Sequence, residues 1–186
     1  IAVPQHIVYR LPDSLSYEHA ALVEAVSVAV HAVNRTPHEL GDSAVVVGTG
    51  MIGLLVVQAL KAAGFGKVVA VDLAEEKLKV AADLGADETY LGEDPELIEK
   101  IHAATDGKGA NAVYDPVGGD IFTESLRCIA PEGRIMPVGF ASGTIPQIPA
   151  NILLVKNITV TGLNMGYYIG WSPDDVRYEM APRIHP

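Results

Sequence analysis

Gly48-Thr49-Gly50-Met51-Ile52-Gly53 and Asp72 are the residues of this 186-residue chain whose types and spacing carry chemistry most plainly. A G-x-G-x-x-G between a buried strand and an amphipathic helix suits a pyrophosphate. Gly48 permits the tight turn, Gly50 lets the backbone approach the phosphates, and Gly53 lets the helix pack closely on the strand. The helix that opens at Met51 and Ile52 offers free N–H groups and the positive end of its dipole. Asp72 ends the next strand about 20 residues on, where a carboxylate can accept both ribose hydroxyls of an adenosine. The plainer alternative for the glycines is a structural turn. For Asp72 alone it is a helix cap, because Glu75 three residues later completes a capping-box-like pattern. Lys77 either steers toward the adenosine ribose or is solvated surface. The strand, motif, helix and acid together point to a dinucleotide site.

Other reactive side chains are scattered. Glu24 interrupts an apolar helix face, where an acid is costly unless it is paired or at a ligand site; the alternative is an acid facing solvent. His31 follows on the same face, while His6, His19, His38, His102 and His185 are dispersed, and no pair has helical metal spacing. These histidines read as surface or satisfied residues, and no metal is expected in this chain. Cys128, before Pro131, has no catalytic signature around it and reads as a buried, inert thiol. One cysteine excludes a disulfide framework and any multi-cysteine zinc site, and makes a reducing, cytoplasmic compartment the expectation.

Positioning these residues requires an ordered frame, and the sequence supplies one. Residues 1–15, with Pro4 and Pro12, read as an extended lead-in, followed by a helix from Tyr17 to about Arg35 that stops at Thr36-Pro37. Ala44–Val47 is an unbroken apolar run, the pattern of a strand buried on both faces. Ile52, Leu55, Val56, Ala59, Leu60 and Ala63 fit the helical template, and Gly64–Gly66 closes that helix. A strand at Lys67–Val71, a helix at Glu75–Leu84 and a strand at Glu88–Leu91 follow. Asp94-Pro95 opens a further helix with Leu97, Ile98 and Ile101 inward. Strands at Ala112–Asp115 and Arg134–Val138 flank a helix from about Asp120 to Ile129, ended by Pro131-Glu132-Gly133. A loop with Pro146 and Pro149 leads to a last strand, Ile158–Leu163. Pro137 belongs at a strand end or bulge, since it cannot donate to a ladder. This alternation predicts an α/β, Rossmann-type doubly wound parallel sheet of about six strands with helices on both faces.

With 49% hydrophobic and 19% charged residues, the chain has enough apolar surface for a core, and disorder is excluded for the whole. A net charge of -10 with no basic run argues against nucleic acid, and no apolar stretch reaches the length of a membrane span. A small molecule is the expected partner.

The glycine fingerprint, Asp72 with Lys77, Leu84-Gly85-Ala86-Asp87, and Asp115-Pro116-Val117-Gly118-Gly119 followed by Val138-Gly139-Phe140 resemble the cofactor domain of the medium-chain dehydrogenase/reductase superfamily. The resemblance covers nearly the whole chain, and two branches compete. Glu24–Ala32 is similar to the segment of zinc-dependent polyol and alcohol dehydrogenases in which a glutamate approaches the catalytic zinc. Asp115–Gly119, Gly139–Gly143 and Ile145–Asn151 resemble zinc-free quinone oxidoreductases. The resemblance implies an NAD-dependent oxidoreductase acting on an alcohol or ketone, or alternatively an NADPH-dependent quinone oxidoreductase; a non-catalytic redox sensor is a more distant alternative. A methyltransferase fits less well, because of the third glycine and the final parallel-type strand. By position in the family pattern, Ser27, Ile52, Val117, Val138, Gly139, Phe140, Leu163 and Asn164 line the nicotinamide end, although for Val117 and Val138 a core role is as good a reading. A catalytic domain is expected to precede this segment, with zinc in the full-length protein in one branch only. The expected division is a lead-in and junction helix over residues 1–36, the dinucleotide-binding domain over 37–170 and a truncated tail over 171–186. NAD is preferred over NADP on the strength of Asp72. A homodimer through the edge strand 158–163 is expected, as in the resembled family.

Overall fold

The β-branched runs form the middle of a six-stranded, all-parallel sheet in the order β3-β2-β1-β4-β5-β6. This computed structural model describes residue 5 and residues 8–168. The central strands are β1 (Ser43–Val47), β2 (Lys67–Asp72) and β4 (Ala110–Asp115), with β3 (Glu88–Leu91) at one side and β5 (Ile129–Pro137) and β6 (Thr159–Val160) at the other. Val45 is in register with Val69 on β2 and with Val113 on β4. Side chains of both parities are apolar because both faces are covered. Val45, Val69 and Val113 enter one core with α5 (Leu97–Ala104), α6 (Asp120–Cys128) and α7 (Ala150–Lys156). Val46, Ala70 and Tyr114 enter the other with α2 (Val23–Asn34), α3 (Met51–Ala62) and Ala81 of α4 (Glu75–Asp83). Each fully buried valine contributes about 2 kcal/mol in removed apolar surface.

The chain leaves β1 toward β2 on one side and returns beyond β1 to β4 on the other. The strand order therefore reverses between β1 and β4, opening a crevice at the carboxyl ends of these strands. Gly48, Asp72, Asp115 and Val138 all follow or end strands at that edge.

Several expected boundaries shift. The helix expected over 17–35 is two pieces, α1 (Tyr17–Ala20), capped by Ser16 Oγ, and α2. Glu24 consequently falls in the exposed first turn of α2 rather than in an apolar middle. Pro131-Glu132-Gly133 does not end α6: that helix stops at Cys128 and the tripeptide lies inside β5. There it forms a bulge, in which Glu132 adopts φ 62° and the register against β4 jumps between Ala110 and Ala112. Residues 150–156 are helical rather than loop, and the last strand is confined to Thr159–Val160. Pro137 is the final residue of β5, where its missing N–H is tolerated. His6, His185 and the tail 171–186 lie outside the described residues. No helix among the described residues is long and apolar enough to cross a membrane.

Candidate dinucleotide site

The three glycines of the turn between β1 and α3 answer to three different constraints. Gly48 has φ 88°, and a Cβ there would lie 2.9 Å from Val117 Cγ2. Gly53 has no room at all, since a Cβ would run into the Gly48 carbonyl oxygen. Gly50 differs from both: its φ of -70° suits any residue, and a Cβ would meet nothing within 4 Å. Nothing among the described residues requires glycine at position 50. Gly50 is also the N-cap of α3 and supplies no side-chain cap; the first helical bond runs from Leu54 N to Gly50 O at 2.9 Å. The amides of Met51, Ile52 and Gly53 precede that bond and have no acceptor within the helix. An uncapped helix N-terminus beside open space is a cradle for an anion.

Asp72 stands at the end of β2, directly across from this turn. Its Oδ2 accepts from Thr49 N at 2.7 Å and from Thr49 Oγ1 at 3.0 Å. Its Oδ1 accepts from Ala74 N at 3.1 Å, with Lys77 Nζ 3.8 Å away. Burial pushes the Asp72 carboxyl up, but the Thr49 and Ala74 amides, the Thr49 hydroxyl and the Lys77 ammonium outweigh it and hold the carboxyl below its ordinary value. Asp72 is thus a fixed anion. It is not the N-cap of α4, a place taken by Ala74 without any side-chain hydrogen bond.

Next to Asp72 a cavity of about 170 Å³ opens between α5 and α6, lined by Val47, Val71, Gly92, Pro95, Ile98 and Ile121 among others. Gly92 N donates to Asp72 O at 2.9 Å, so the cavity adjoins the strand end that carries the acid. It is a mostly apolar slot of the kind a flat aromatic ring fills.

Beyond the glycine turn, Asp115 Oδ1 accepts from Val117 N and Gly118 N, each at 2.8 Å, and closes the 115–119 turn. Ala141 N donates to Pro116 O and Ser142 N to Val117 O, which hooks this turn to the one after β5. Gly139 packs on Pro116, and Phe140 covers Gly118. Ile52, Val138 and Leu163 pack together against the core of the α2–α3 face. Ser27 is half-buried on α2 with its hydroxyl donating to Val23 O at 2.7 Å, Met51 and Asn164 are exposed, and Glu24 is exposed. The glycine turn is thus tied to Asp72 through Thr49, and Gly48 lies against Val117 of the 115–119 turn, which Gly139 and Phe140 back.

Sequence reasoning missed Thr49, Asp115 and the cavity residues Val71, Pro95 and Ile98. A hydroxyl residue inside the glycine motif was the available signal for Thr49. The others depend on strand register, which spacing alone does not give. Cys128 is buried, and burial pushes its thiol up to about 11, consistent with an inert role. Among the described residues no group of three or more His, Cys, Asp or Glu can hold a metal ion, so these residues do not fit a zinc site.

Residues 52–184 match the family model described as zinc-binding dehydrogenase. A quinone oxidoreductase-like protein 2 homolog of Nematostella vectensis is 40% identical over 181 residues, covering 94% of this chain and 48% of its own length. Among solved structures, a quinone oxidoreductase of Pseudomonas syringae pv. tomato DC3000 superposes with TM-score 0.80 at 29% identity, covering 97% of this chain and 56% of that one. The 2R,3R-butanediol dehydrogenase of Bacillus subtilis does so with TM-score 0.75 at 33% identity, covering 84% and 45%. The chain spans about half the length of the curated relatives it matches.

Proposed function

This chain belongs to the zinc-binding dehydrogenase family, and we propose that it is the cofactor-binding part of an oxidoreductase that passes hydride between NAD(H) and an alcohol or ketone. The observation that carries this reading is Gly50, a glycine that none of the described residues around it requires, beside an uncapped helix end. A pyrophosphate accounts for it: the amides of Met51 and Ile52 bind the phosphates, and the absent side chain leaves them room. Asp72, held as an anion, receives a ribose hydroxyl, and Lys77 approaches the same ribose. The apolar slot between Val71 and Ile98 takes the adenine. At the other end Val117, Val138, Phe140 and Leu163 exclude water from the nicotinamide, and Ser27, Ile52, Gly139 and Asn164 line it. The bound nicotinamide supplies the hydride chemistry. The residues of this chain bind it, orient it and keep one of its faces dry.

Asp72 favours NAD(H), because its carboxylate repels a 2′-phosphate carrying nearly two negative charges. A second reading, NADPH-dependent quinone reduction, is supported by the quinone oxidoreductase-like relatives and by the Lys77 ammonium 3.8 Å from Asp72. Titration of the chain with each cofactor separates them. The expected result is NADH tighter by about tenfold, or 1.4 kcal/mol. Asp72→Ser narrows that gap, and Gly50→Val abolishes binding of both cofactors. Tighter NADPH binding to the unmutated chain selects the second reading, and unimpaired binding by Gly50→Val overturns the site. A cytoplasmic setting fits the single buried cysteine, and the outer edge of β6, unpaired among the described residues, supports a homodimer.

A further inference from the structure

Thr49 occupies a variable position of the glycine motif, yet it is 1% exposed, deeper than the glycine on either side of it. A small polar side chain is buried there for a reason, because an unpartnered hydroxyl is costly away from water. Its hydroxyl and its amide both go to one atom, Asp72 Oδ2, at 3.0 and 2.7 Å. A carboxylate oxygen has two lone pairs, so Oδ2 is filled from within the protein. Among the described residues Oδ1 has one hydrogen bond, from Ala74 N at 3.1 Å, with the Lys77 ammonium 3.8 Å away. The two oxygens of Asp72 are therefore unequal before any ligand arrives.

We infer that Thr49 is the positioning residue for cofactor selection: it pins Asp72 through Oδ2, leaves Oδ1 as the oxygen that receives a ribose hydroxyl, and denies the carboxylate the swing that would admit a 2′-phosphate. The inference rests on the reading of the crevice as a nicotinamide dinucleotide site. It also narrows that reading, since Asp72 then accepts one ribose hydroxyl rather than two. A rigid anion discriminates better than a mobile one. A carboxylate free to rotate can turn away from a phosphate or toward Lys77, and the repulsion that selects against NADPH falls with distance.

Thr49→Val keeps the shape and the amide and removes only the hydroxyl; Thr49→Ser keeps the hydroxyl. Dissociation constants for NADH and NADPH are measured for the chain and both variants, alongside thermal melts. The expected result is an NADH-to-NADPH preference about fivefold smaller in Thr49→Val, the net worth of one hydrogen bond, and restored in Thr49→Ser. In an Asp72→Ser background the same Thr49→Val change is expected to leave the preference unmoved, which a purely structural role for Thr49 does not predict. If Thr49→Val does not fold, Thr49→Ala carries the same comparison with a methyl-sized void. An unchanged preference in a folded variant that lacks the hydroxyl overturns the inference. Failure of the unmutated chain to bind either cofactor overturns the dinucleotide reading instead, so the two failures are distinguishable.

Discussion

Asp115 is an acid sealed from solvent at the end of β4. It is 0% exposed, its Oδ1 accepts two backbone amides, and its Oδ2 is buried without a hydrogen-bond partner among the described residues. Burial pushes the carboxyl above its ordinary value, and the Gly118 and Val117 amides only partly oppose this. A carboxyl raised in the folded state favours folding most below its unfolded value of about 3.9, and that contribution is lost as pH rises through the raised folded value. Asp115→Asn keeps an acceptor for both amides and cannot ionise. Its stability relative to the unmutated chain is therefore expected to improve between pH 4 and pH 7, as read by urea unfolding at each pH. Equal differences at the two pH values show that Asp115 titrates ordinarily. Asp115→Ala strips the acceptor from both amides and is expected to cost about 2 kcal/mol or more at either pH. The 115–119 turn then loses its tie and the wall formed by Val117 loosens with it.

At the scale of elements, Gly53 and Gly50 separate folding from binding within one turn of α3. A Cβ at Gly53 meets the Gly48 carbonyl oxygen, so Gly53→Ala forces α3 away from β1 and opens the core shared by Val46, Val56 and Leu60. Overpacking of this kind costs about 1–3 kcal/mol, and a clash with backbone belongs at the upper end. Gly50→Ala meets open space and is expected to leave the melting temperature nearly unchanged while weakening NADH. A reversal, with Gly53→Ala stable and Gly50→Ala unfolded, removes the geometric basis of both assignments. The β1–α3–β2 unit was legible in sequence because strand and helix periodicities differ and glycines mark the joints. Residues 150–156 were not: Ile152 and Leu153 face the core while Leu154 and Val155 lie exposed, so this short apolar run lacks a clean stripe. Pro131-Glu132-Gly133 reads as a terminator and acts as a bulge, because pairing with β4 resumes at Arg134. The fingerprint was visible because it is contiguous. The links from Thr49 to Asp72 and from Asp115 to its turn were less so, since they need β1, β2 and β4 side by side.

Among the described residues the sheet ends at β6, a two-residue strand with one side unpaired. Thr161 N donates to Ile135 O at 2.9 Å, so in the alternating ladder the N–H and C=O of Val160 point away from β5. Just before it, α7 carries Leu154 and Val155 at 81% and 76% exposure. An open edge beside exposed apolar side chains is a liability, and antiparallel pairing with a second copy about a two-fold axis removes it. Charge opposes this pairing, because each copy brings a net charge of -10; screening by salt relieves part of that cost. The chain is therefore expected to sediment as a dimer at micromolar concentration, more completely at high ionic strength than at low. Val160→Pro deletes the outward N–H while retaining an apolar ring and the pairing of Thr161 with β5. It is expected to sediment as a monomer that keeps the pyrophosphate and adenosine contacts at Gly50 and Asp72, because β1 and β2 lie three and four strands away in the order β3-β2-β1-β4-β5-β6. A monomeric unmutated chain at high salt, or a Val160→Pro variant that remains dimeric, places the association elsewhere or removes it. Loss of NADH binding together with loss of the dimer would instead tie the edge of the sheet to the crevice through Leu163 and Asn164, which directly follow β6.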